Sequence, residues 1–169
     1  MNIEYLHRVI SRDASTLSDE LTAYPLESQI WEMPPGIKNA AGTLVLHLCG
    51  NLRHFVGAQF GGTRYVRERD LEFSRRDVSR ADLLAECDAA RHAVAQGFAT
   101  LTDGDLGKPF PVQLAGETLP TGLALLHMAT HLSYHLGQID YHRRLVTGQC
   151  GEVKALPVPV SSSPRQRVG

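Results

Sequence analysis

Apolar residues recur at three- and four-residue steps through four stretches of the chain, a spacing that predicts four long helices. Over 2–24, Ile3, Leu6, Ile10, Leu17, Leu21 and Tyr24 share one face, and Pro25 ends the segment. Over 43–60, TLVLHLCGNLRHFVGAQF places Leu44, Leu48, Leu52 and Phe55 on one stripe and closes at Gly61-Gly62. The third segment opens on Ser79-x-x-Asp82, a short-acid form of the capping box, and carries Leu83, Cys87, Ala90, Val94, Phe98 and Leu101 before Thr102-Asp103-Gly104-Asp105 stops it. The fourth begins near Pro120 or Thr121 and ends near Thr147-Gly148. Between them lie a long 25–42 loop and the stretch KPFPVQLAGETLP, whose Pro109, Pro111 and Gly116 exclude a helix and leave room for at most a short hairpin. The expected fold class is therefore all-α, a four-helix bundle over 1–150. A flexible Pro- and Ser-rich tail is expected over 151–169.

With 169 residues, this is one domain large enough for a continuous core. A net charge of −1 offers no global attraction to nucleic acid or to an anionic membrane, and no stretch reaches the length of a membrane span. The start, MNIEYLHRVISRD, sets Glu4 and Asp13 among its apolar residues and does not read as a secretory leader. Cys49, Cys87 and Cys150 form no Cys-x-x-Cys and cannot all pair, so a cytoplasmic chain with reduced thiols is expected.

Chemistry enters with the histidines. Four of the eight lie in LALLHMATHLSYHLGQIDYHRRL, and His127, His131 and His135 stand at i, i+4 spacing on one helix face, with His142 continuing the stripe. A buried face would normally carry Leu, Val or Ala there, whereas an i, i+4 imidazole pair is a helical metal chelate. His127 and His135 are roughly 12 Å apart along the axis at about 1.5 Å per residue. One ion with metal–nitrogen bonds of about 2.0–2.1 Å cannot hold all three. The chelate is either His127 with His131 or His131 with His135.

A third ligand would have to come from another helix. His47 sits inside an apolar run with Gly50, Asn51 and His54 at i+3, i+4 and i+7, a small polar face beside the apolar stripe. Gly50 removes bulk next to His47 and would let a helix or ligand approach closely, while His54 falls at the mouth of such a site or on a packing edge. Cys49 faces away, as a small core residue. The linker 63–80, TRYVRERDLEFSRRDVSR, interleaves six arginines with Glu68, Asp70, Glu72 and Asp77. It reads as a solvated connection laced with ion pairs; the alternative is that an arginine forks onto a substrate carboxylate near the metal.

The two histidine helices resemble those of the DinB/YfiT-like superfamily. In LLHMATHLSYHLGQI, His131 and His135 fall on that family's His-x-x-x-His, followed by Gly137-Gln138-Ile139; in LVLHLCGNLRH, His47 falls on its upstream histidine. The resemblance implies a four-helix bundle with His47, His131 and His135 on one divalent ion, commonly zinc or nickel, and often a homodimer. It leaves His127 as a neighbour. It also implies, for some relatives, transfer of a low-molecular-weight thiol to an electrophile. Leu136 stands where many relatives have arginine.

Three neutral histidines would leave an ion its full charge and an open position, which suits catalysis by activated water or by a bound thiol. A zinc protease of the His-Glu-x-x-His type is excluded by Met128 and Leu132 after the first histidine of each pair. A di-iron site is disfavoured because only Glu4-Tyr5-Leu6-His7 matches Glu-x-x-His, and no Cys-x-x-Cys-His is present for haem. Thiol transfer, metal-dependent hydrolysis and non-catalytic metal binding in a stress-response bundle are the readings carried forward. Asn51 and Gln138, on the histidine faces of their helices, are the candidates for orienting a second substrate.

Overall fold

Among the described residues of the computed structural model, 2–151 and 153, five α-helices form: α1 (Ile3–Thr22), α2 (Ala41–Leu52), α3 (Arg69–Ser74), α4 (Arg80–Phe98) and α5 (Thr121–Thr147). The four long ones are those the periodicity predicts. Each end has a local cause. The Asn2 side chain accepts from the Glu4 amide at the start of α1, and Ser79 Oγ accepts from the Asp82 amide at the start of α4. Gly148, at φ 67°, closes α5 in the left-handed conformation, and its N–H donates to the Arg144 carbonyl. The expected tail lies outside the described residues apart from Gly151 and Val153.

The apolar faces close on a shared core of Ile10, Leu17, Leu21, Leu48, Leu52, Leu83, Leu125, Met128 and Leu132, all buried. α1 packs against α4 and α5, and α2 against α4, α3 and α5. The 25–42 loop holds a 3₁₀ turn at Glu27–Trp31, and Trp31 Nε1 donates to the Val78 carbonyl at 3.1 Å. The expected hairpin is reduced to two isolated antiparallel bridges, Pro109 with Pro120 and Leu114 with Glu117. Proline supplies no N–H to extend the ladder. Ala115 and Gly116, both at positive φ, make the turn.

Two features were not legible from the periodicity. The 43–60 segment does not stay α-helical: Arg53–Ala58 is a π-helical turn that carries the chain onto α4. The linker 63–80 is not wholly a connection, because α3 folds inside it. One buried charge network ties α1 to α5: Arg143, 1% exposed, donates to Glu20 at 2.6 Å and to Asp140 at 2.8 Å. Burial raises the Glu20 carboxyl despite that partner. Removing Arg143 would leave the buried Glu20 carboxylate without its partner, whereas removing Glu20 would leave Arg143 paired with Asp140 alone.

The π turn meets α4 at a glycine. A Cβ on Gly97 would lie 2.6 Å from Val56 Cγ1 and 2.8 Å from the Val56 carbonyl oxygen, and the backbone contact cannot be relieved by a rotamer change. Gly97→Ala is therefore expected to destabilise the protein by about 1–2 kcal/mol, even though alanine is favoured over glycine in a helix by about 1 kcal/mol. Urea denaturation checks this, and equal or greater stability of the variant would refute the close contact.

Candidate metal centre

α2 and α5 run antiparallel where they touch, so His47 meets the second and third members of the α5 stripe. One ring nitrogen from each of His47, His131 and His135 lies within 4.8 Å of the other two. His47 Nε2 and His131 Nε2 are 3.2 Å apart. Two nitrogens bound to one tetrahedral ion at about 2.0–2.1 Å would be separated by about 3.3 Å. The rings stand nearly perpendicular to each other: 79° for His47 with His131, 85° for His131 with His135 and 89° for His47 with His135. Their lone pairs can thus approach one point from different directions. The donor set fits a single divalent ion.

Which nitrogen is free depends on what holds the other. His47 Nδ1 lies 3.0 Å from Glu72 Oε2, and Arg67 grips the same carboxylate with two N–H groups at 2.7 and 2.8 Å. Arg67 Nη2 also lies 3.3 Å from His47 Nδ1. The two contacts demand opposite tautomers. An ionised carboxylate can only accept, and its contact is the shorter, so the Nδ1 proton belongs on His47 and the Nε2 lone pair is left free. Burial works to raise the Glu72 carboxyl, but the hydrogen bonds from Arg67 and His47 outweigh it and leave the group below the usual carboxylate range.

On α5, His135 Nδ1 donates to Gln138 Oε1 at 2.7 Å, which likewise frees Nε2. His131 Nδ1 is buried with no partner among the described residues. Burial, reinforced by His135, His47, His127 and Arg67, pushes the His131 imidazole down to about 4. Burial also lowers His135, with the Gln138 hydrogen bond acting against it. Both imidazoles are therefore neutral, as ligands must be, at neutral pH.

Glu72 and Phe73 come from α3, the helix not expected in the linker. A Cβ on Gly50 would sit 2.1 Å from Glu72 Oε1, so the close approach expected at Gly50 is made by this carboxylate. Phe73 packs against the His47 ring at 4.9 Å. Arg67 does fork onto a carboxylate near the histidines, but onto the protein's own Glu72. The only sequence sign of this was an acid between Leu71 and Phe73 in an otherwise charged run.

Of the remaining stripe, His127 is exposed with its ring 5.9 Å from His131, and it is not in the ligand group. His142 is buried, with Nδ1 2.8 Å from the Tyr24 hydroxyl and Nε2 2.8 Å from the Glu32 carbonyl. It is a structural residue with both nitrogens used. His54 lies in the π turn against Phe55, also outside the group. Asn51, one turn beyond His47, is buried and makes no side-chain hydrogen bond among the described residues. Cys49 is buried, as expected, with Sγ 3.8 Å from Cys87.

Alanine at His47, His131 or His135 is expected to abolish stoichiometric zinc or nickel, while His92→Ala and His127→Ala retain it; elemental analysis of tag-free protein checks this. Gly50→Ala, which displaces Glu72, should weaken metal affinity by about 10–100-fold while keeping the stoichiometry. Unchanged affinity in a competition titration would remove Glu72 from the site.

The metal-free protein also has a defined pH response. His131 falls from an ordinary 6.5 to about 4 on folding, so the unfolded chain binds more protons between those values. Stability should be fully present above pH 6.5, fall as the pH drops towards 4, and gain no further loss from this group below that. Urea denaturation of wild-type and His131→Asn protein across this window checks the slope, which the variant should flatten.

No curated protein and no solved structure matches the chain. A family profile described as "Protein of unknown function (DUF1572)" matches residues 1–161, most of the chain and all three histidines. The chain belongs to that family.

Proposed function

We propose that this chain is a divalent-metal-dependent enzyme of the wider DinB/YfiT-like superfamily, which transfers a small thiol to an electrophile. Zinc or nickel suits a donor set of imidazole nitrogens alone. The observation that carries the reading is the gathering of one ring nitrogen from each of three histidines, next to a carboxylate that is already committed. Glu72 is ionised and shared between Arg67 and His47, so it is a poor general base. No other carboxylate joins the histidine group among the described residues.

A nucleophile that loses its proton without a base is favoured in such a site. When bound, the ion supplies Lewis acidity that favours the thiolate, the attacking form of a thiol whose ordinary pKa is about 8.5. The chain's own residues fix the geometry: Glu72 holds the proton at His47 Nδ1, and Gln138 holds that at His135 Nδ1. Asn51 offers an unused amide one turn from His47 to orient the electrophile. In the transfer, the sulfur–carbon bond forms as the leaving group departs with its electron pair, and the thiol proton passes to solvent. Three free cysteines accord with a reducing compartment, where such a thiol would be supplied.

Zinc- or nickel-loaded protein is expected to couple bacillithiol, mycothiol, glutathione or cysteine to an activated aryl or alkyl halide, with activity lost in His131→Ala. Asn51→Ala should raise KM for the halide more than it lowers kcat. Hydrolysis of esters or amides without thiol transfer would establish the hydrolase alternative, and metal binding without either activity the non-catalytic one.

A further inference from the structure

A cavity of about 400 Å³ opens between the Gly36–Asn39 loop, Leu44 on α2 and the last turns of α5. Leu44 precedes His47 by three residues and Gln138 follows His135 by three; because α2 and α5 are antiparallel here, both steps run the same way along the bundle. The cavity therefore begins about one turn, roughly 5 Å, from the histidine group. Gln138 belongs to both: its Oε1 is taken by His135, while its amide N–H groups have no partner among the described residues. From Gln138 to Leu145 the α5 wall extends roughly 10 Å.

The chemistry of the lining is one-sided. Ile37, Leu44, Tyr141 and Leu145 give it an apolar body, with Tyr141 76% and Leu145 59% exposed at its mouth. His142 adds only a ring face, since both its nitrogens are engaged. No carboxylate lines the cavity, while Lys38 does and has no ion-pair partner among the described residues. Resting on the proposed metal-dependent transfer, we propose that this cavity binds the second substrate, an elongated apolar molecule bearing a carboxylate that Lys38 holds. Its apolar body lies against Leu44, Tyr141 and Leu145, and the part beside Gln138 is presented to the histidines.

Calorimetric titration of the full-length, zinc-loaded protein with 4-phenylbutyrate and with uncharged 4-phenylbutan-1-ol tests this. The acid should bind at least about threefold more tightly than the alcohol, the scale of a partly exposed charge pair. Leu145→Glu, which sets a charge at the exposed mouth, should weaken both ligands about tenfold. Lys38→Glu should abolish the preference for the acid, and His131→Ala should keep it. Absence of saturable binding, no preference for the acid in the wild type, or no effect of Leu145→Glu overturns the assignment. So does any other outcome for the preference in the Lys38 and His131 variants, including its loss only in His131→Ala, which would put the carboxylate on the ion. Metal content measured on the same wild-type sample separates the two ideas, because protein that holds no zinc sinks the metal centre whatever the cavity binds.

Discussion

Glu72, only 6% exposed, sits between the guanidinium of Arg67 and the imidazole of His47, and the local architecture follows from the need to satisfy it. A buried carboxylate is tolerated only when paired and fully hydrogen-bonded. Arg67 supplies two parallel N–H groups and His47 the third donor. The consequence for α3 is direct. Six residues are too few for a helix to persist in water on its own, so α3 exists because Glu72 and Phe73 dock it on α2. The bare backbone at Gly50 makes the docking space. The consequence for His47 is equally direct: an acceptor at Nδ1 forces the proton there and turns the lone pair of Nε2 inward.

The other two histidines are held by different means. His135 is fixed within its own helix by Gln138, three residues on, where side chains share a face. His131 has no hydrogen bond at Nδ1 and is held by packing between its neighbours' rings. Burial, reinforced by the neighbouring histidines and Arg67, lowers its basicity, and no acceptor at Nδ1 opposes it. The centre is thus held by hydrogen bonds at its two ends and depends in the middle on the contact of α2 with α5.

The long helices were legible because each must bury one stripe, and a stripe leaves a periodic trace. The His131–His135 pair was legible for the same reason, although spacing alone left His127 with His131 open as the alternative. The crossing point of α2 brings His47 to His131 and His135 and leaves His127 outside the group, and a crossing point is a tertiary quantity with no local signature. Gly50 announced a close approach without saying by what. Four acids in the 63–80 linker were equivalent by pattern, and only the docking of α3 distinguishes Glu72 from Glu68, Asp70 and Asp77. The π turn was invisible for a similar reason: its position is set where Val56 and Gly57 meet Gly97 and Ala93 on α4, far away in sequence.

Accounting for ring nitrogens separates the histidines of α5 better than their spacing does. His142 continues the sequence stripe, yet Tyr24 and the Glu32 carbonyl engage both of its nitrogens and leave no lone pair for a ligand. His135 has one nitrogen engaged and one free, the condition for a ligand with a defined tautomer. The neighbouring cavity is shaped by the same constraint. Because His142 is fully satisfied, it contributes only a ring face there, and the polar side chains of the lining include Gln138, Lys38 and Asn39. One helix thereby supplies, within about four turns, two of the proposed metal ligands, the amide that orients one of them, and the wall along which a second molecule can lie.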